Sequence, residues 1–416
     1  MAFAPLRHRN YALVWMAGLI SNVGTWMETV AVGSLVAGTT GQAGWTGLVA
    51  AAGFLPMGLL GPVGGAFADR FDRRLMLIAM TAAQMVCAVG LTLLAATDHA
   101  TPGAVAILVF IAGCVSGVGF PAYAAMLPDL VPKEDLLAAM SLSQAQWNLG
   151  RVIGPTLAGI AIYFGSYTTA FALNAVSFAA MLVALRLLRL EAHVRSTDDT
   201  PLWTRIVVGA RAAHAEPGVW SAIVMISVVA ITASPFIALI PAMAEVRFDG
   251  TSALTSWFTT AQGVGAVMGA FGLPVLAARF GRYRTLLVSF VLLPVALVLY
   301  GASPGPVYAT LALVGVGATY MAVFSGIGTV AQLRAPTDLR ARVLSFYFLA
   351  LGVIYPLGTL IQGPIADRIG LGPMTALSGV LLLALVALIR TVRPERIAAL
   401  DDPAPDVSVA PAPEAA

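Results

Sequence analysis

Two charged side chains stand deep inside long apolar stretches of this 416-residue chain: Glu28 in the stretch 10–37 and Arg151 in the stretch 139–163. Glu28 is flanked by Ser21, Asn22, Thr25 and Thr29 and lies about 26 Å along a helix from Tyr11, at 1.5 Å per residue. Arg151 lies about 20 Å into its stretch by the same rise. Gln144, Asn148, Arg151 and Pro155 recur at spacings of 4, 3 and 4, which places them on one helical face expected to line a water-filled cavity. Apolar surroundings and a neighbouring arginine act in opposite senses on the proton affinity of a carboxylate. The chemistry expected of Glu28 is therefore proton loading and release. Arg151 is either its electrostatic partner or a contact for an anionic ligand group. A plainer reading leaves Glu28 solvated near a membrane face and Arg151 tied to backbone carbonyls.

The elements that hold these groups must be membrane-spanning helices. The chain is 59% hydrophobic and 10% charged, against about 25% charged in ordinary soluble domains. A spanning helix needs about 20 apolar residues. Stretches of that kind recur at 10–37, 44–68, 75–97, 103–127, 139–163, 166–189, 218–244, 251–277, 285–301, 305–332, 342–366 and 372–392. The fold class expected is all-α and integral to the membrane, with twelve transmembrane helices. The first stretch is too long for the apolar region of a cleaved leader, so it is expected to be the first span.

Charge placement orients the chain. With the N-terminus in the cytoplasm, 20 of the 23 basic residues fall in inside connectors, Arg247 and Arg368 fall outside, and Arg151 is within a span. That asymmetry predicts an even number of spans with both termini cytoplasmic. It also accounts for the net charge of +3 without nucleic acid as a partner. Cys87 and Cys114 fall inside spans three and four and read as small apolar packing residues.

The longest interior connector divides the spans six and six. The expected organisation is an N-terminal half at 1–189, a cytoplasmic linker at 190–217, a C-terminal half at 218–396 and a disordered tail at 397–416. Within the linker, 201–218 could form a surface helix that turns Trp203, Ile206 and Val207 to lipid. The halves also repeat. An offset of 204 superimposes Pro132 and Ser141 on Pro336 and Ser345, Gly154 on Gly358 and Gly159 on Gly363. In span seven, Ser234 and Pro235 predict a bend.

A dense charge cluster follows span two: Gly65, Ala66, Phe67, Ala68, Asp69, Arg70, Phe71, Asp72, Arg73 and Arg74. It resembles the major facilitator signature G-x-x-x-D-R-x-G-R-R between the second and third helices, with Asp72 where that motif has its second glycine. Together with "SNVGTWMETVA", "GFPAYAAMLPDLVP", "NLGRVIGPTLAG" and "AQLRAP", it is similar to the branch typified by the enterobactin exporter. The resemblance implies two pseudo-symmetric six-helix bundles around a central site, alternating access, and amphipathic small molecules such as siderophores as substrates. It implies a conformational latch in which Asp69 faces the start of helix eleven near Arg342 and Arg73 pairs with Asp129. Such contacts are expected to bridge the halves only in the outward-facing state.

The expected cavity set is Asn22, Thr25, Trp26, Phe120, Tyr123, Gln144, Trp147, Asn148, Arg151, Gln262, Phe324, Tyr347 and Tyr355, an aromatic lining with few directional polar groups. No Walker loop, nucleophile triad or metal-spaced His and Cys set is present, so neither enzyme activity nor a cofactor nor a metal is expected. The resulting expectation is a monomeric secondary transporter of a bacterial cytoplasmic membrane, exporting hydrophobic or amphipathic small molecules against proton entry. A lipid or lysolipid transporter or an uptake facilitator of the same fold fits the same residues. So does a membrane scaffold or receptor that does not transport.

Overall fold

The computed structural model describes residues 3–188, 202–335 and 340–401. The first bundle contains α1 (Arg9–Thr40), α2 (Ala43–Arg70), α3 (Arg73–Ala96), α4 (Pro102–Met126), α5 (Leu136–Phe164) and α6 (Tyr167–Leu187). After the short α7 (Leu202–Ala215) come α8 (Pro217–Thr232), α9 (Phe236–Ala242), α10 (Ser252–Phe280), α11 (Arg282–Gly301), α12 (Pro306–Arg334), α13 (Arg340–Ile369) and α14 (Leu371–Val392). The chain closes on α15 (Pro394–Ala398).

Ten helical segments among the described residues are long and apolar enough to span, with α8, α9 and the π-turn Met243–Arg247 counting as one. The other two long helices are α1 and α5, of 32 and 29 residues, which extend about 48 and 44 Å at 1.5 Å per residue. These two carry Glu28 and Arg151, and they pack on spans α6 and α10. They complete the twelve.

The two bundles repeat one packing pattern. In the first, α2 lies on α4, α1 on α5 and α6, and α3 on α6; in the second, α10 lies on α12, α8 on α13 and α14, and α11 on α14. Small residues make the closest of these contacts. A Cβ at Gly64 would meet Val118 Cα of α4 at 2.7 Å, and one at Gly117 would meet Met57 Cα of α2 at 2.9 Å. Where lipid is as apolar as the side chains, such close packing is the main source of helix association.

Helix starts follow local capping chemistry. Asp72 Oδ1 accepts the Leu75 N–H at 2.8 Å and caps α3. Its partner is thus backbone, which explains an acid where the family motif has a glycine. Glu216 caps α8 through the Val219 N–H at 2.5 Å. Span seven breaks at Ala233–Pro235, where proline removes a backbone donor and the Ser234 hydroxyl meets Tyr320 Oη at 3.0 Å.

The linker helix α7 packs on α8 and α13. Ala213 is buried, and His214 lies edge-on to Trp220 at 4.8 Å between centroids. Val207 is half-buried, while the side chains of Trp203 and Ile206 lie outside the described residues. The start of the tail departs from the expected disorder. Ile397 and Leu400 bury themselves in the core of the second bundle, because apolar side chains so close to α14 gain more from burial than from water. Residues 402–416 lie outside the described residues.

Two seams join the bundles, α2 on α13 and α5 on α10. At mid-height of the first, Gly58 and Gly352 bring two backbones together, since a Cβ at Gly58 would sit 2.6 Å from Gly352 C. A Cβ at Gly61, one turn away, meets no described atom within 4 Å. Gly58→Leu should therefore lower the melting temperature of the purified protein, by overpacking worth about 1–3 kcal/mol, whereas Gly61→Leu leaves it close to wild type. Equal melting temperatures for the two variants in native fluorescence would contradict this seam.

Candidate transport site

At the middle of the α5–α10 seam, Arg151 Nη2 donates to Gln262 Oε1 at 3.1 Å. The guanidinium lies 5.6 Å from the centroid of the Trp26 ring of α1, within cation–π range. Trp26 meets Trp147 edge to face at 5.9 Å. Gln262 is only 1% exposed. Further along the seam the Thr156 and Thr260 hydroxyls lie 3.1 Å apart. On the neighbouring seam Tyr355 packs edge-on against Phe54 at 5.4 Å. Phe324 stacks on Tyr320 at 6.2 Å, and Tyr347 is buried in the second bundle. The structure thus gathers Trp26, Trp147, Arg151 and Gln262 where the halves meet, with residues from α1, α5 and α10.

Other residues expected at the cavity serve elsewhere. Glu28 accepts a hydrogen bond from Asn174 Nδ2 of α6 at 2.6 Å. Neither Glu28 nor Arg151 forms an ion pair among the described residues, so Arg151 is not its electrostatic partner. Helical phase explains the correction: Glu28 follows Trp26 by two residues, about 200° around the helix at 3.6 residues per turn. Trp26 therefore faces α5 while Glu28 faces α6.

Asn22 Nδ2 donates to Gln146 O at 3.1 Å and ties α1 to α5. The Thr25 hydroxyl is taken up by Ser21 O of its own helix at 3.0 Å. Gln144 is exposed, and its carbonyl accepts from Asn148 Nδ2 at 2.9 Å. Phe120 is exposed. Tyr123 Oη reaches Gln146 Oε1 at 3.5 Å. Gln146 was not among the expected residues, yet it is buried and joins three helices, its Nε2 donating to Trp15 O at 3.0 Å. It stands between Gln144 and Asn148 in the sequence, and only its burial tells it apart.

At the end carrying the 64–74 cluster, Arg73 Nη1 donates to Asp129 Oδ2 at 3.0 Å and to Ala125 O at 2.8 Å. Arg74 donates to Leu185 O at 2.7 Å and Arg186 O at 2.8 Å. The Arg73–Asp129 pairing that the resemblance implies is present, but both residues belong to the first bundle, so it does not bridge the halves. The start of α3 lies beside the last turns of α4 and α6, whose terminal carbonyls lack helical partners and attract cations. Arg73 and Arg74 therefore staple the first bundle internally. Arg70 is exposed, and a Cβ at Gly65 meets no described atom within 4 Å. Asp69 is half-buried. The side chain of Arg342 lies outside the described residues.

Among the described residues, polar contacts between the halves include a set at the opposite end. Asp367, near the end of α13, accepts the Ala43 N–H at 2.6 Å and the Gly44 N–H at 2.9 Å, so a carboxylate of one bundle caps the first turn of α2 in the other. Glu245 accepts from the Ser34 hydroxyl of α1 and from Thr255 Oγ1 at 2.7 Å, while Tyr167 Oη meets Ser34 Oγ at 3.0 Å. Neither acid was singled out from the sequence. A signal for Asp367 exists: Ala-Asp-Arg closes α2 at 68–70 and recurs near the end of α13 at 366–368.

Comparison with known proteins gives a consistent result. A family model described as transmembrane secretion effector matches residues 1–414. The chain is 30% identical over 389 residues to the multidrug efflux pump Tap of Mycolicibacterium fortuitum, covering 90% of this chain and 94% of that protein. It is 25% identical over 366 residues to the staphyloferrin A transporter of Staphylococcus aureus, covering 86% and 90%. Among solved structures, a bacterial homologue of the human lysosomal transporter Spinster, inward-facing and unoccupied, matches with a TM-score of 0.70 at 15% identity, over 94% of this chain and 97% of that one.

The first-turn amides of α2 have no helical acceptor, so protection of Ala43 and Gly44 reports on Asp367 alone. Asp367→Ala should accelerate their hydrogen exchange about tenfold or more, the scale of a hydrogen bond to a charged group, and Asp69→Ala should leave it unchanged. Unaltered exchange in Asp367→Ala, read by mass spectrometry on the peptide spanning α2's start, would refute the cap.

Proposed function

Because the chain belongs to the transmembrane secretion effector family, within the major facilitator transporters, we propose that it is a proton-coupled exporter of hydrophobic or amphipathic small molecules. It acts as a monomer in the bacterial cytoplasmic membrane with both termini in the cytoplasm. The observation that carries this reading is the uneven joining of the two bundles. Their described polar contacts run from Arg151 and Gln262 at mid-seam to Glu245 and Asp367 at one end, while Gly61 and Gly65 of α2 meet no described atom toward the other. Export is supported by relatives named as efflux pumps and as a siderophore transporter.

In the proposed orientation the joined end faces outward, so this conformation loads substrate from the cytoplasm. To release it, the Asp367 cap and the Glu245 contacts break and the arginine-rich end closes. There Asp69 takes up the start of α13, as Asp367 takes up the start of α2 here. Both acids sit in the same Ala-Asp-Arg run on an antiparallel helix pair, and the glycine crossing at 58 and 352 lies between them. Each contact of this kind is worth about 0.3–1 kcal/mol when exposed, small enough that neither state is locked.

Glu28 is the proton-exchanging carboxylate of this reading. It is half-buried, with an amide rather than a cation as its bonded partner, and protonation would change the bond that holds α1 to α6. Inverted membrane vesicles with an acidified lumen test the proposal, using a panel of neutral, cationic and acidic amphipathic fluorophores. Wild type should accumulate members of the panel only while the gradient lasts. Glu28→Gln should lose gradient-driven accumulation and keep downhill exchange. Full gradient-driven transport by that variant would remove Glu28 from coupling, and no gradient-dependent accumulation by wild type would overturn export.

A further inference from the structure

Arg151 brings only donors to the seam. A guanidinium carries five N–H donors and no acceptor, and no described carboxylate lies within ion-pair distance of it. Its bonded side-chain partner is Gln262 Oε1. Since arginine can only donate, the amide oxygen must face it, which leaves Gln262 Nε2 as a second donor. That nitrogen is buried without a hydrogen-bond partner. The indole Nε1 of Trp26, whose ring lies against Arg151, is likewise buried without one.

One cation and two unanswered N–H groups therefore meet where α1, α5 and α10 converge. Leaving a buried donor unpaired costs about 1–3 kcal/mol, and an unpaired cation at membrane depth costs about 2.5–3.5 kcal/mol on insertion scales. An acceptor supplied from outside would offset these penalties together. The surroundings also define the rest of such a ligand, since the Trp26 ring lies against the guanidinium and meets the Trp147 ring edge to face.

We propose that Arg151, Gln262 and Trp26 form an acid-recognising subsite, so that this transporter takes aromatic or apolar molecules bearing a carboxylate or a comparable anionic oxygen group. The anionic group docks on the guanidinium of one half and the amide of the other, so its binding draws on both halves at once. The inference rests on the transporter reading above and narrows its substrate class.

The test is equilibrium binding to the full-length protein in lipid nanodiscs, read by energy transfer from tryptophan, with two probes of the same fluorophore: dansylglycine, which carries a carboxylate, and neutral dansylamide. Wild type should bind dansylglycine about tenfold more tightly than dansylamide, as a charge-assisted contact requires. Arg151→Gln should erase that preference, and a melting temperature close to wild type shows that the variant is folded. Arg151→Lys should retain most of the preference, and Gln262→Ala should reduce it. The proposal is overturned if wild type binds the two probes equally or binds neither, or if Arg151→Gln weakens both alike. Gradient-driven transport of neutral dyes by wild type, without a dansylglycine preference, would leave export standing and remove only the acidic substrate.

Discussion

A charge inside the bilayer must find its partner within the protein, and most of this structure follows from how each charge is answered. Arg73 and Arg74 are answered by carboxylate and carbonyl oxygens at the ends of α4 and α6. Asp72 and Glu216 are answered by the first-turn amides of their own helices, and Glu216 also pairs with Arg334 at 2.5 Å. These bonds hold within one bundle and make each half a rigid unit. Asp367 and Glu245 are answered across the divide. Contacts of the second kind can be exchanged without unfolding either half, which is what alternating access requires.

The α2–α13 pair shows how packing and electrostatics cooperate. Its crossing is made from glycine, so the two backbones touch at mid-height. Its ends carry carboxylates that suit the positive N-terminal end of the partner helix. At one of these ends Asp367 engages the backbone of α2.

Much of this architecture was legible in the chain itself. Long apolar stretches, short connectors and the sided distribution of arginine all follow from the cost of moving charge and bare backbone into hydrocarbon. The α1 and α5 boundaries extend a few residues beyond the apolar runs, because a helix continues into the interfacial region once its hydrogen-bond ladder is formed. The cluster at 64–74 was visible as a motif, but its internal stapling was not. Whether Arg73 meets its own half or the other depends on where α4 and α6 end in space. Gln146 and Glu245 escaped notice for a related reason: one stands between the amides Gln144 and Asn148 and differs from them only in the face it turns inward, the other is an acid just past a predicted span end.

Residue identity and helical period determined by themselves that this chain spans a membrane twelve times, repeats after six, and belongs among the major facilitators. The same period already placed Trp26 and Glu28 on opposite faces of α1. Only the tertiary structure decided which helix each face would meet. It put α6 and Asn174 beside Glu28, and α5 and α10 beside Trp26, so the two intramembrane charges that looked like a pair were separated. The physical reason is that hydropathy and periodicity act along one chain, whereas the partner of a buried charge is chosen by packing among six helices at once.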